Sequence, residues 1–261
     1  MSRTEAELDP KSTMWTRLTS AFRRHGVAGI AKLLPRNIVH ILGVYGSRQR
    51  RQRRSLEEFD RRFGVDTAGF RSVTALRMPI EIAAHAARYQ PISDLGAYLR
   101  ALDISFAQYT FVDYGCGKGR ALLMASDYPF EQIIGVDCVP GLIAIARSNI
   151  SAYRSASQLC HRLDLETCDA RQFSPPGTPT VFFLYNPFDE VILSEVLARI
   201  ARVAPDASHP DYLIYVDPRH RSCIEATRRW DIALDRQSWV VYRSGSPAAP
   251  SPAADGLSIP K

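Results

Sequence analysis

Four polar residues end or follow apolar stretches of the sequence: Asp113, Asp137, Asp169 and Asn186. A carboxylate at the end of a strand can accept hydrogen bonds from both hydroxyls of a ribose, and one beside a turn can pair with an ammonium group. The side-chain amide of Asn186 can both donate and accept hydrogen bonds. These residue types, in this order, predict a site for a nucleoside that carries an ammonium group.

A glycine-rich turn follows the apolar run 111–114 and has Gly115, Gly117 and Gly119 on alternate positions. Glycine lets the backbone approach a ligand closely, and the free amides of the helix that follows favour a carboxylate. The spacing excludes a phosphate-binding loop, because Lys118 is followed by glycine and not by Ser or Thr. It also differs from the dinucleotide fingerprint, whose third glycine comes three positions after the second.

The pattern Asp-x-Gly-x-Gly-x-Gly, from Asp113 to Gly119, resembles motif I of the class I S-adenosylmethionine (SAM) dependent methyltransferases. The resemblance covers residues 89–243. It implies that Asp113 contacts the amino group of SAM and that the three glycines hold the methionine end of the cofactor.

The same resemblance implies that Asp137 binds the ribose and that Asp169 and Ala170 meet the adenine. Cys168 departs from the family's pattern, which has glycine before that acid. The residues expected to bind the cofactor are Tyr89, Ser93, Asp113, Gly115, Gly117, Gly119, Asp137, Asp169, Ala170 and Asn186.

The sequence Asn186-Pro187-Phe188 follows an apolar, aromatic-rich run that is typical of a strand buried on both faces. It resembles a shortened Asn-Pro-Pro-Tyr/Phe motif of enzymes that methylate amino groups of adenine or glutamine, and the Asn-x-Phe of DOT1-type lysine enzymes. The resemblance implies that these three residues form the reacting centre. Asn186 would accept a hydrogen bond from the target amine, and Phe188 would pack on its flat or alkyl part. The missing second proline leaves the acceptor undefined.

Two segments upstream of motif I also resemble parts of known methyltransferases. Tyr89, Pro91 and Ser93 are similar to a cofactor-contacting segment of DOT1-type and ATP-synthase lysine methyltransferases, while Ser93 is also a suitable helix cap. The block 59–69 indicates a helix stop at Gly64 and a structured loop. It resembles a segment ahead of the SAM domain in small bacterial methyltransferases, which implies a lid or substrate-side element.

An α/β fold would bring the ends of these strands together. The expected fold is a Rossmann-like seven-stranded sheet, which is parallel except for one antiparallel closing strand. Helices flank this sheet, and a helical extension precedes it. The expected strands include 132–137, 160–167, 181–185, 212–216, 232–234 and 239–242, and the expected helices 95–102, 142–150, 189–204 and 219–230. The expected divisions are a disordered N-terminus 1–11, a basic helical extension 12–88 for substrate docking or as a lid, a methyltransferase domain 89–243, and a disordered tail 244–261.

The net charge of +6 is concentrated in the N-terminal part of the chain. Five arginines lie within seven residues: Arg48, Arg50, Arg51, Arg53 and Arg54. They favour either a solvated helix face or linker, or a surface that contacts RNA, DNA or an acidic protein. No aromatic residue alternates with them, which disfavours stacking on single-stranded bases.

Composition excludes several classes of protein. The five cysteines are odd in number and have no Cys-x-x-Cys pair, so we expect neither a disulfide framework nor a metal site. No apolar run is long enough to span a bilayer, and the polar N-terminus does not resemble a signal peptide. We therefore expect a cytoplasmic protein.

The resulting prediction is an enzyme that moves a methyl group from SAM to a nucleophile and releases S-adenosylhomocysteine (SAH). A nitrogen acceptor on a protein or another amine is favoured. The alternatives are a nucleic-acid methyltransferase that uses the arginine-rich segment, and a SAM-binding module without turnover.

Overall fold

The structure, a computed structural model, describes residues 36–69, 91–203 and 209–245. Contacts divide the chain into two compact units, Met1–Arg54 and Ser55–Lys261. Helix α1 spans Arg36–Phe63; its residues 36–54 are the described part of the first unit, and its residues 55–63 belong to the second. The predicted disorder of residues 1–11, the extension outside 36–69, Tyr89 and the tail beyond residue 245 all lie outside the described residues.

The second unit is built on a seven-stranded sheet. Its strands are β1 Thr110–Tyr114, β2 Gln132–Asp137, β3 Leu163–Thr167, β4 Thr180–Tyr185, β5 Tyr212–Val216, β6 Trp230–Arg236 and β7 Trp239–Ser244. Their order is β3-β2-β1-β4-β5-β7-β6. Strands β1 to β5 pair in parallel, and β7 runs antiparallel to both β5 and β6. This topology confirms the predicted Rossmann-like α/β fold.

Helices cover both faces of the sheet. The described helices of this unit are α2 Gly96–Leu99, α3 Arg120–Ala125, α4 Pro140–Ala152, α5 Glu190–Ile200 and α6 Arg221–Ala226, with a 3-10 turn at Phe106–Gln108. Apolar side chains of α2, α3 and α4 pack into one core, and those of α5 and α6 pack into the core on the opposite face. Among the described helices, none is both long and apolar enough to cross a membrane.

The central strands explain where the site forms. Every residue of β1 is buried, and β4 is buried except at Tyr185, as expected for apolar strands covered by helices on both faces. In the register, Asp113 lies between Gly135 of β2 and Phe183 of β4. The acid therefore lies near the middle of the sheet, close to its C-terminal edge.

The helix predicted over 95–102 forms but is shorter than expected, and Ser93, for which a helix cap was one of two expected roles, does not cap it. The helix spans only Gly96–Leu99, and Leu95 occupies its N-cap position. Asp94 accepts a hydrogen bond from the Ala97 amide at 3.3 Å, while Ser93 is exposed. A carboxylate one residue further along can reach the free amides of the first turn, so it takes the role predicted for the serine hydroxyl.

Two boundaries near the C-terminus also differ from the prediction. The helix predicted to reach Trp230 ends at Ala226, because Arg228 adopts a left-handed φ of 53° and Trp230 begins β6. Ser244, predicted to begin the tail, is instead the buried last residue of β7. Its hydroxyl accepts a hydrogen bond from the Asp211 amide at 2.9 Å, and its own amide donates to the Asp211 carbonyl.

Candidate active site

The predicted site residues converge on the C-terminal edge of the parallel strands. Ligands of open α/β sheets bind in the crevice outside this edge, at the point where the strand order reverses. Here the reversal falls between β1 and β4. Asp113, Asp137, Asp169 and Asn186 lie within the last two positions of a strand or the first two after one, so the fold brings together four residues that are far apart in the sequence.

The glycine turn between β1 and α3 needs its glycines for two separate reasons. Gly115 has a left-handed φ of 79°, and a Cβ there would lie 2.8 Å from the Cβ of Pro187. Gly119, the N-cap of α3, has a φ of 82°, and a Cβ there would lie 3.2 Å from that of Ala146. L-residues with side chains rarely adopt these dihedrals. The turn therefore packs closely against the loop after β4 on one side and against α4 on the other.

Hydrogen bonds from the same turn tie it to the end of β2. The amides of Gly115 and Cys116 donate to the Val136 carbonyl at 2.8 and 3.1 Å. The Gly117 amide donates to Asp137 Oδ2 at 2.9 Å, and the Val139 amide donates to Oδ1 at 2.9 Å. Burial raises the pKa of Asp137, and these two hydrogen bonds oppose the rise. Each carboxylate oxygen keeps a lone pair that a ribose hydroxyl can use.

Asp113 is the most unusual acid of the site. It is only 4% exposed, and its carboxylate accepts no hydrogen bond from any residue that the structure describes. Burial, with a smaller effect from the negative charge of Asp137, raises the pKa of Asp113 to about 8. A buried acid without a partner favours a cationic ligand, because a positive group would restore the ionised form.

Asp169 lies after β3 and is held by its neighbour Arg171. The guanidinium donates from Nε and Nη2 to the two carboxylate oxygens, with a shortest distance of 2.6 Å. This pairing lowers the pKa of Asp169. Ala170 is buried, and Cys168, which stands where the family has glycine, packs partly against the core beneath α5. The loop thus accommodates the cysteine by directing it into the apolar core.

Asn186 follows β4 and has its side-chain amide fixed on both sides. The Tyr215 hydroxyl donates to Oδ1 at 3.3 Å, and Nδ2 donates to Oδ2 of Asp217 at 3.3 Å. Because a carboxylate can only accept here, the nitrogen must face Asp217 and the oxygen must face Tyr215. The Oδ1 atom retains a second lone pair, so it can accept one further hydrogen bond.

Pro187 and Phe188 occupy different surroundings. Pro187 packs over Gly115, which joins the loop after β4 to the glycine turn. The Phe188 ring packs partly against the core beneath α5 and lies edge-on to Tyr114, with 6.3 Å between ring centroids. Protein therefore covers part of the ring, and its contact with an acceptor stays a prediction.

Sequence reasoning missed two groups of residues. Tyr215 and Asp217 orient Asn186, and the position of Asp217 directly after an apolar strand is the signal that predicted the other acids. Lys118 and Arg120 are almost fully buried and bind the segment after α1. No local sequence feature indicates their partners. In the part of the chain that the structure describes, no cluster of three or more His, Cys, Asp or Glu side chains is arranged to hold a metal ion.

Comparison with known proteins gives a family match and a set of similar folds. Residues 111–206 match the family model described as a methyltransferase domain. No curated protein matches the chain in sequence. The pyocyanin biosynthetic protein PhzM is 16% identical, with a TM-score of 0.43 over 56% of this chain and 52% of its own.

Two further solved structures are similar to a comparable extent. The N,N-8-amino-8-demethyl-D-riboflavin dimethyltransferase from Streptomyces davawensis is 18% identical, with a TM-score of 0.43 over 57% of this chain and 52% of its own. The N-methyltransferase NodS from Bradyrhizobium japonicum WM9 is 12% identical, with a TM-score of 0.40 over 57% of this chain and 95% of its own. The aligned part is about half the length of PhzM and of the riboflavin-type enzyme.

The strand order and the glycine turn after β1 are those of a Rossmann-like α/β fold. Within this fold, residues 111–206, less than half of the chain, match a methyltransferase domain.

Proposed function

We propose that this enzyme transfers the methyl group of SAM to the nitrogen of an amine, with protein amines favoured over small amines. The observation that carries the proposal is the fixed amide of Asn186 at the end of β4. Its oxygen offers one lone pair to an N–H group, and accepting that hydrogen bond would turn the nitrogen lone pair toward the cofactor. An acceptor without an N–H or O–H group would gain nothing from this arrangement.

The residues at the cofactor end fit SAM. The carboxylate of Asp113, which has no hydrogen-bond donor among the described residues, suits the ammonium group of SAM, and the amides at the start of α3 suit its carboxylate. Asp137 would bind the ribose hydroxyls, and Asp169 with Ala170 would bind the adenine. When bound, SAM supplies the methyl group and the leaving group, so the protein contributes mainly position and exclusion of water.

Aromatic side chains near the end of β4 support a nitrogen acceptor. The ring centroid of Tyr98 lies 5.0 Å from that of Trp239, and all three of Tyr98, Trp239 and Tyr185 are half-buried. Burial, followed by the nearby Tyr185 and Asp94, raises the pKa of Tyr98. Aromatic faces next to carboxylates attract ammonium cations more strongly than they attract neutral alcohols.

Methyl transfer from radiolabelled SAM into a lysate tests the proposal. We expect the label in a protease-sensitive fraction and expect it to survive mild alkali, because N-methyl groups resist hydrolysis that removes methyl esters. Label in a small-molecule amine would support a nitrogen acceptor but contradict a protein substrate. Alkali-labile label would contradict a nitrogen acceptor, and nuclease-sensitive label would favour a nucleic-acid substrate.

A nucleic-acid acceptor is the second candidate, supported by the arginine-rich part of α1. Residues 50–54 of this helix are all exposed. Exposed arginines can pair with the phosphates of a nucleic acid. Such binding releases counterions from the nucleic acid, and its affinity falls steeply as the salt concentration rises.

Replacement of Arg48, Arg50, Arg51, Arg53 and Arg54 by glutamine tests that surface. If it docks a macromolecular substrate, the KM for that substrate should rise about tenfold and lose most of its salt dependence, since the attraction is long-range and screened. SAM affinity should stay within about twofold of wild type. A matched variant, in which five other exposed arginines are replaced by glutamine, should leave the KM unchanged; these are Arg147, Arg162, Arg202, Arg236 and Arg243. An unchanged KM in the quintuple variant would indicate a solvated helix face.

A further inference from the structure

The segment from Asp60 to Ala68, here called the strap, forms a compact turn around one carboxylate. Helix α1 ends at Phe63, and Gly64 takes a left-handed φ of 67°, which lets the Val65 amide reach back to the Asp60 carbonyl at 3.1 Å. The Asp60 carboxylate then accepts hydrogen bonds from the Thr67 amide and hydroxyl and from the Ala68 amide. The predicted helix stop and structured loop are thus confirmed.

Arg120, the first residue of α3, inserts its guanidinium into this turn. Its Nη1 donates to Thr67 Oγ1 at 2.7 Å, to the Leu56 carbonyl at 3.3 Å and to Asp60 Oδ1 at 3.4 Å. The guanidinium carbon lies 4.2 Å from the centroid of the Phe59 ring. A buried arginine with this many acceptors is held in one position.

Lys118, inside the glycine turn itself, binds the other end of the strap. Its side chain is 2% exposed, and Nζ donates to Asp66 Oδ1 at 2.7 Å and to the Ala68 carbonyl at 3.1 Å. Asn149 of α4 completes the contact: its Oδ1 accepts from the Asp66 amide, and its Nδ2 donates to the carbonyls of Asp66 and Lys118. The strap therefore contacts the glycine turn at residues on both sides of Gly119.

The glycine turn is held from two directions. Asp137 and the Val136 carbonyl bind it from β2, and the strap binds it through Lys118 and Arg120. Glycine gives a turn many alternative conformations, so a turn with three glycines at left-handed φ values needs outside contacts to remain in one of them. Two buried cations with built partners supply such contacts.

We propose that the strap positions the cofactor-binding turn, with Lys118 and Arg120 as positioning residues that raise the affinity for SAM and SAH without touching either. The proposal rests on the proposed cofactor site. In this proposal the block 59–69 holds the glycine turn in place. The family resemblance had instead implied a lid or substrate-side element. Loosening the strap lowers the fraction of protein whose turn is ready to bind, and the apparent Kd rises in the same proportion.

The first test measures SAH binding by calorimetry in Lys118→Met, which removes the ammonium group and keeps an unbranched apolar side chain of nearly the same length. We expect the Kd to rise about tenfold, with faster hydrogen exchange of amides 115–119 in the free protein. The matched control is Arg229→Met. Arg229 is another largely buried arginine, which binds the Ala201 and Val203 carbonyls and Asp211 at the N-terminal end of β5. Its loss should lower the melting temperature but leave the Kd within about twofold of wild type.

A pair of Thr67 variants separates positioning from general stability. Thr67 is fully buried. Thr67→Val keeps its volume and loses the hydroxyl that joins Asp60 to Arg120, whereas Thr67→Ser keeps the hydroxyl and loses a methyl group. We expect the Kd to rise about fivefold in the valine variant and to stay within about twofold of wild type in the serine variant, whichever of the two melts lower. This pair decides the question even if Lys118→Met does not fold.

Three outcomes overturn the proposal. Unchanged SAH affinity in both Lys118→Met and Thr67→Val would contradict the positioning role of the strap but not the proposed cofactor site. Affinity that follows melting temperature across all variants, Arg229→Met included, shows a general effect of stability. Wild-type protein that does not bind SAH overturns the cofactor site and the strap with it.

Discussion

Asp113→Asn is expected to weaken SAM binding about 10- to 100-fold at pH 8 and to remove most of its dependence on pH. This range corresponds to losing a hydrogen bond to a charged group, about 1.5 to 3 kcal/mol. Asparagine keeps the shape of the side chain, so the glycine turn and the strands around it should stay in place. The variant isolates the charge that the ammonium group of SAM would meet.

The pH dependence of the wild type follows from the raised pKa of Asp113. Free protein below pH 8 holds this acid mostly neutral, because burial and Asp137 raise its pKa to about 8. Binding an ammonium group favours the ionised acid, so SAM binding releases a proton below that pH. Affinity should increase by up to about tenfold per pH unit between pH 6 and 7.5 and level off near pH 8. Affinity should fall again above about pH 8, because the amino group of SAM then loses its own proton.

The same acid sets the direction of the pH effect on stability without ligand. The pKa of Asp113 is higher in the folded than in the unfolded chain, so the folded state binds more protons between about pH 4 and pH 8. Stability from this group is therefore fully present below about pH 4 and is lost as the pH rises through 8. Asp113→Asn should lose this component, which melting curves across the range can detect.

Calorimetry at several pH values with three ligands gives the control. SAM and SAH should share the pH profile, since both carry the amino-acid tail. Methylthioadenosine, which lacks that tail, should bind with little pH dependence to wild type and variant alike. NAD should not bind. A wild-type profile that is flat from pH 6 to 8, or unchanged SAM affinity in Asp113→Asn, would remove Asp113 from the ammonium site.

The sequence was most informative where the signal was local. Asp113 and Asp137 lie at the ends of β1 and β2, and the glycine turn follows β1 directly. Apolar runs and the local glycine pattern were therefore enough to predict that these residues lie at the ends of strands. Asp217 follows the same rule after β5, although it was not recognised. Parallel pairing then brings all these residues to one edge without any further information.

The partners of Lys118 and Arg120 show where local reasoning stops. The contacting residues are separated by 52 and 53 positions in the sequence. A lysine and an arginine in a polar turn ordinarily face solvent, and only the packing of the strap against α3 and α4 buries them. The capping of α2 was also not predictable from local sequence. Ser93 and Asp94 are both suitable caps, and which of them reaches the free amides depends on where the chain turns.

Asn186→Ala is expected to lower turnover about tenfold or more while SAM affinity stays within about twofold of wild type. A tenfold loss corresponds to about 1.4 kcal/mol of transition-state positioning. The physical reason is that the amide oxygen would orient the nitrogen nucleophile, an interaction that matters most as the bond forms. Turnover with the acceptor found in the labelling experiment and calorimetry with SAM measure the two quantities on one preparation.

Backbone conformation has to be separated from the loss of the amide. Asn186 has a left-handed φ of 41°, which asparagine tolerates better than alanine does. Asn186→Gly loses the same amide without that strain, so both variants should lose turnover to a similar extent if the amide is responsible. A glycine variant with wild-type turnover would assign the alanine effect to the backbone.

Tyr215→Phe and Asp217→Asn probe the orientation of the amide rather than its presence. Tyr215→Phe removes one of the two groups that fix Asn186, and Asp217→Asn replaces the charged acceptor with a neutral amide, so each should lower turnover about two- to fivefold, less than loss of the Asn186 amide itself. The effects of Tyr215→Phe and Asn186→Ala should not add, because once the amide is gone the hydroxyl has nothing to orient. If SAM affinity instead falls in parallel with turnover in the Asn186 variants, the amide contacts the cofactor. The proposal of a nitrogen acceptor would then no longer be supported by the geometry of Asn186.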